Sequence, residues 1–325
     1  MNSIKKMMLS GALGCLISGM AYADGSSPQP VKPYWQDIQV VAVNKEKPRS
    51  SFMSYADRET ALTSRFEKSP YYSLLNGTWK FFFVDSYKDL PQNITDPSVN
   101  TSSWDDITVP GNWEVQGHGV AIYTNHGYEF KPRNPQPPLL PEANPVGVYR
   151  RDIEIPASWD NRDIYLHIGG AKSGLYVYLN GKEVGYSEDS KNPAEFLINK
   201  YLQPGKNVLT LKIFRWSTGS YLECQDFWRM SGIERDVFLW SQPKANIQDF
   251  RVVSTLDDTY TNGIFKLAVD LKNHTQETKN LNVGYELLDA KGNLVTSEAN
   301  DIWVSPASPQ TASFEYDLKN VAPWS

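Results

Sequence analysis

Apolar and polar residues alternate along most of this chain, in short runs broken by Gly, Pro, Asn and Asp. That is the pattern of half-buried strands; a helix would repeat its apolar positions every three to four residues. Only residues 57–66 have a helical spacing. Strands are expected at 77–84, 146–155, 162–168, 175–179, 182–186, 194–198, 207–214 and 233–240. Asn180-Gly181 predicts a tight hairpin, because both residues tolerate the left-handed backbone of a primed turn. In 207–214 the alternation places Val208, Leu211 and Ile213 among the apolar positions. Pro243-Lys244 reads as a junction. Beyond it, strands are expected at 247–254, 264–271, 281–288, 294–304 and 311–318, and Phe265, Leu267, Val269 and Leu271 mark one buried face. Their spacing fits an immunoglobulin-like sandwich with one or two of its roughly seven strands missing.

Length and charge narrow the picture. The 325 residues leave room for about two domains and too little for a large multi-domain enzyme. A formal charge of −5 argues against nucleic acid as a partner, which would require a basic stripe. The aromatic share, 13% with 10 Trp and 18 Tyr, suits β-structure and carbohydrate surfaces without proving either. Residues 1–23 read as a signal peptide, with Lys5 and Lys6, an apolar stretch to Met20 and a small-x-small site at Ala21-Tyr22-Ala23. The stretch is too short for a membrane span. A lipoprotein anchor on Cys15 is the rival reading, disfavoured by Ala12-Leu13-Gly14 before it. The expectation is therefore an exported protein, periplasmic or extracellular, with Cys224 as its one remaining cysteine and a small packing residue.

Candidate chemistry is sparse. No phosphate loop, nucleophile elbow or pair of His at metal-ligand spacing is present. The acid pairs Glu188-Asp189 and Asp105-Asp106 read as solvated turn charges. Residues 123–145 form a 23-residue stretch with six prolines and no periodicity, the length at which a loop is usually functional. The run 215–236 is rich in polar and aromatic residues. With the long loop it gathers Trp113, Tyr123, Tyr128, Trp216, Tyr221, Phe227 and Trp228, as stacking faces for a sugar or as sandwich core. Glu223 and Asp226 offer oxygens to a hard cation, or equally a surface salt bridge to Arg229.

Several segments carry a family resemblance: WQD (35–37), LLNGTWKFFF (74–83), VPGNWEVQGHGVAIYTN (109–125), EANPVGVYRR (142–151), VGYSEDSKNPAEF (184–196) and RWSTGSYLECQDFWRMSGIERDVFL (215–239). Together they resemble the N-terminal part of large bacterial β-galactosidases of glycoside hydrolase family 2. The resemblance implies an all-β chain: a signal peptide (1–23), a jelly-roll sugar-binding sandwich (24–243) and an incomplete, C-terminally truncated immunoglobulin-like sandwich (244–325). The family's catalytic (β/α)8 barrel needs about 250 residues and is not contained here. Its two catalytic glutamates would lie beyond Ser325, so the isolated chain is expected to be inactive.

Two family residues match positions in this chain. Asn125 matches an asparagine that reaches into the galactose site, and Asp226 an aspartate that contacts galactose hydroxyls and a sodium ion. Cys224 stands where the family often has Asp. Magnesium is implied for the full enzyme, with ligands outside this chain, as are a β-galactoside partner and homo-oligomers. The alternatives are a stand-alone carbohydrate-binding module, or a β-glucuronidase or β-mannosidase.

Overall fold

The computed structural model describes residues 32–130 and 134–322. The signal-peptide reading and Cys15 lie outside the described residues.

Two sheets face each other in the first sandwich. The larger runs, in spatial order, Ala42–Val43, Lys182–Ser187, Gly174–Leu179, Lys206–Phe214, Val146–Glu154, Gly77–Val84 and Asp105–Val109, with antiparallel neighbours throughout. The smaller runs Ala194–Leu197, Arg162–Ile168, Val237–Pro243 and Tyr72–Leu74. Between them lies a core that includes Trp79, Phe81, Tyr149, Leu166, Val177, Leu211 and Leu239. A second apolar cluster, with Trp35, Trp104, Val148, Tyr176 and Phe214, packs residues from the other side of the larger sheet. Much of the aromatic excess is thus core: Trp35, Trp79, Trp113, Trp159 and Trp240 are fully buried.

The hairpin forms as its turn residues dictate. Leu179 pairs with Lys182, and Asn180 and Gly181 have φ of 53° and 77°. Residues 57–66 yield only one helical turn and a little more, Arg58–Leu62, whose first turn is capped by the Asp57 carboxylate accepting from Thr60 N at 2.8 Å. Two expectations fail in phase or extent. In Lys206–Phe214 the deep face is Leu209, Leu211 and Ile213, with Val208 on the other side, because Asn207 and not Val208 shares their two-residue period. The single strand expected at 233–240 is two, Gly232–Ile233 and Val237–Pro243. They serve different sheets. The first pairs with Gly111–Asn112 and Ala171–Lys172, the second with Arg162–Ile168 and Tyr72–Leu74.

The second sandwich follows directly. Ala245–Leu256, Gly263–Asn273 and Gln310–Leu318 make one sheet, and Lys279–Leu288 with Leu294–Val304 the other. Phe265, Leu267, Val269 and Leu271 face its core as their alternation requires, against Val283, Val304, Ala312 and Phe314. A strap at residues 46–50 ties it to the first sandwich. Arg49 grips Glu195 with two nitrogens at 3.0 and 2.9 Å, while Ser50 N donates to Asp249 Oδ1 and Ser50 Oγ to Phe250 O. Across the same junction Lys272 Nζ donates to Tyr165 Oη at 2.7 Å, and His274 Nδ1 meets Asp163 Oδ2 at 2.7 Å. Among the described residues no helix is long and apolar enough to cross a membrane.

Candidate functional site

The long loop and the polar-aromatic run meet. Ile122–Thr124 and Phe227–Arg229 form a two-stranded antiparallel ribbon in the register Thr124↔Phe227, Tyr123↔Trp228 and Ile122↔Arg229. Just beyond the last pair, Thr124↔Phe227, the chain bends at Asn125 on one side and at Asp226 on the other, where Phe227 N donates back to Gln225 O. Asn125 and Asp226 are both exposed. Tyr123 Oη donates to Asp226 Oδ1 at 2.9 Å, a bond that favours the neutral phenol and raises the Tyr123 pKa. Asn125 Oδ1 lies 2.8 Å from His126 Nδ1. Tyr123 and Trp228, 54% and 53% exposed, stand beside each other with ring centroids 5.6 Å apart. The ribbon end therefore presents an amide, a carboxylate and two accessible aromatic faces, the mixture that recognises a pyranose.

The described residues of the loop beyond the ribbon are tied down at several points. Tyr128 and Phe130 pack edge-on against Tyr221 with centroids at 4.9 and 5.2 Å, and Phe130 reaches Trp216 at 5.7 Å. Tyr221 Oη donates to Leu139 O. Asn144, fully buried, closes the loop by accepting from Trp216 N and donating to Trp216 O at 3.0 and 2.8 Å.

Beneath the ribbon lies a buried ionic network that the alternation pattern did not disclose. Glu129 sits between Lys172 Nζ at 3.1 Å and Arg215 Nη2 at 3.5 Å, and Arg215 Nη1 lies 3.6 Å from Glu114 Oε1. All four side chains are at most 5% exposed. Burial raises the Glu114 pKa, although Ser231 N donates to both its oxygens and Arg215 opposes the shift. Arg215 also donates to Val120 O and Arg229 O, so the network holds the loop on one side and the 215–231 run on the other.

Several candidate residues change role. Trp113, Trp216 and Tyr221 are core, which leaves Tyr123 and Trp228 as the exposed aromatics of that group. Glu223 uses its carboxylate on Ser190, from N at 2.9 Å and Oγ at 2.7 Å. Arg229 is buried and donates to the Glu223 carbonyl, so the surface salt bridge to Glu223 or Asp226 does not form. Glu188 is no solvated turn charge. It is 4% exposed and accepts from Tyr186 Oη, Thr218 Oγ1 and Gly219 N, and burial raises its pKa. Asp105 and Asp106 are exposed as expected. Cys224 is half-buried, its thiol pKa raised by desolvation.

For a cation, this chain supplies little. Among the described residues no three His, Cys, Asp or Glu side chains gather at metal-ligand distance. Asp226 has one oxygen engaged by Tyr123 and the other without a partner among them, so the donors fit at most a partial site for a hard ion.

The described residues fold as solved glycosidases do. Bacteroides uniformis β-glucuronidase 2, covalently bound to cyclophellitol-6-carboxylate aziridine, superposes with a TM-score of 0.63 at 20% identity over 78% of this chain and 28% of its own. A Bifidobacterium dentium β-glucuronidase complexed with coumarin-3-O-glucuronide gives 0.56 at 18% identity over 78% and 42%. At these identities the likeness concerns the fold. Residues 72–243 match the family described as Glycosyl hydrolases family 2, sugar binding domain, and residues 245–325 the one described as Glycosyl hydrolases family 2. The chain belongs to glycoside hydrolase family 2. It is 37% identical over 297 residues to a β-galactosidase of Priestia megaterium and 38% identical over 267 to one of Halalkalibacterium halodurans. These alignments take in 90% and 81% of this chain but 29% and 26% of the relatives, so the chain spans less than a third of their length.

Proposed function

We propose that this chain is the N-terminal, sugar-binding portion of an exported β-galactosidase that releases terminal non-reducing β-D-galactose with retention of configuration. The observation that carries the reading is the ribbon end, where exposed Asn125 and Asp226 flank the last pair, Thr124↔Phe227, and Tyr123 steadies the Asp226 carboxylate. Relatives named β-galactosidase, matched across most of this chain, support the same substrate class.

In this reading Asn125 donates to and accepts from galactose hydroxyls, Asp226 accepts from them, and Asp226 also contributes one oxygen to a sodium ion completed by residues beyond this chain. A sodium ion held there would neutralise the carboxylate and fix its direction. The buried Glu129 network keeps the two halves of the ribbon in register, so the sugar meets preset groups. The two reacting carboxyls, and any magnesium, belong to the part of the enzyme that this chain does not contain.

A panel of aryl β-galactoside, β-glucuronide and β-mannoside tests the reading on the protein extended beyond Ser325, with the 325-residue chain in parallel. The expected result is turnover of the galactoside by the longer protein and none by the chain. Preference for the glucuronide or mannoside would refute the substrate, and turnover by the chain alone would refute the division of labour. Tight galactoside binding by the chain, with no activity in any longer product, would favour a stand-alone binding module.

A further inference from the structure

A hollow of about 360 Å³ lies beside the strap, and neither Asn125 nor Asp226 lines it. Its size falls at the lower end of small-molecule sites, roughly 300–1,000 Å³. Phe52, Phe66 and Phe238 give it apolar walls, and the His167 ring stacks on Phe238 with centroids 4.2 Å apart.

The polar groups around it are unequally committed. Glu195 takes two nitrogens of Arg49, His167 Nδ1 and Trp240 Nε1. Burial alone would raise the Glu195 pKa, but the His167 hydrogen bond and the Arg49 charge outweigh it and hold the group ionised. Both oxygens of Asp189 accept from the Asn192 amide, and Glu46 lies 3.9 Å from Lys272. Glu195 and Glu46 thus face cations, whereas Asp189 is held by a neutral amide and keeps its charge. Lys45 and Lys47 form no ion pair among the described residues, and Lys45 is desolvated enough to lower its pKa. The Asp189 charge opposes that shift without an ion pair to Lys45, and an anion beside the ammonium would add a charge-assisted hydrogen bond. Ser51 and His167 also line the hollow, and Ser51 Oγ and His167 Nε2 have no partners among the described residues.

A flat apolar face, several hydroxyls and one negative charge describe an acidic pyranose. We propose that the hollow walled by Lys45, Lys47, His167 and Phe238 binds an acidic monosaccharide unit, a uronate or a sugar sulfate. The site does not depend on the β-galactosidase reading.

The test is calorimetric titration of the 325-residue chain with D-galacturonate, galactose 6-sulfate, galactose and benzoate. One or both acidic sugars should bind at millimolar concentration, at least about tenfold tighter than galactose or benzoate. The uronate and sulfate arms identify which anion is preferred. The double variant Lys45→Met, Lys47→Met should lose about tenfold in affinity with an unchanged unfolding midpoint, and Phe52→Ala should weaken the acidic sugar more than benzoate. Equal affinity for galactose and galacturonate, equal affinity for benzoate, undiminished binding by the lysine variant, or no heat up to about 10 mM would each overturn the proposal.

Discussion

Replacing Glu129 by Gln probes the part of the structure on which the ribbon depends. Glu129 is the carboxylate shared by Lys172 at 3.1 Å and Arg215 at 3.5 Å, both out of contact with water. The amide keeps the shape but removes the charge, leaving two buried cations with Glu114 alone nearby, 3.6 Å from Arg215. Breaking a buried pair from one side costs about 3–5 kcal/mol, because the remaining charge can neither rehydrate nor find another partner. By contrast Glu142→Gln removes the exposed pair to Lys88 and should change stability by less than about 1 kcal/mol. The double variant Glu129→Leu, Lys172→Met removes both buried charges and should fall well short of the single variant's loss. Urea unfolding followed by tryptophan fluorescence gives the stabilities. Hydrogen exchange should show residues 120–130 and 215–231 losing protection together, since Arg215 bonds to Val120 O, Glu129 and Arg229 O. A Glu129→Gln protein within about 0.5 kcal/mol of the parent, with both segments still protected, would refute the reasoning.

Other consequences are local. Glu188 has a raised folded-state pKa, so the folded chain holds its proton more tightly than the unfolded one, and its stability contribution is present at low pH and lost as pH rises through that pKa. Glu188→Gln should flatten that decline in urea titrations between about pH 4 and pH 7; an unchanged pH slope would show that the burial is compensated. Gly181→Ala places a Cβ 2.9 Å from Pro97 Cδ at φ +77° and should cost about 1–2 kcal/mol in thermal unfolding. Asn144→Ala orphans the backbone N–H and C=O of Trp216 at about 1–3 kcal/mol each, measured by urea unfolding, and frees the end of the long loop to limited proteolysis.

Strands were legible where turn residues bound a short run of strand-forming residues. Residues 162–168 and 294–304 come out with their expected bounds, and the Phe265–Leu271 face needs only its alternation. Alternation is silent on a strand that changes sheets, so the break at Glu234–Asp236 was hidden in a run with continuous strand character. It also misjudges charge. Glu188 follows a strand and resembles a turn acid, yet Tyr186, Thr218 and Gly219 turn it into a buried acceptor. Asn125 and Asp226 were readable through the family motifs, but their meeting at one ribbon end depends on strands about a hundred positions apart. The Lys172–Glu129–Arg215 chain was unreadable for the same reason: its members are 43 and 86 residues apart, and nothing local marks them as partners.

The account rests on the Asp226 carboxylate seating the sugar. Its most direct test is the hydrolysis of 4-nitrophenyl β-D-galactoside by the protein extended beyond Ser325, comparing the parent with Asp226→Ala. Charge-assisted hydrogen bonds to the hydroxyls predict a loss of about 10–100-fold in kcat/KM, with the unfolding midpoint unchanged because Asp226 is exposed and bonded only to Tyr123 among the described residues. An Asp226→Ala enzyme with parental kcat/KM would contradict it.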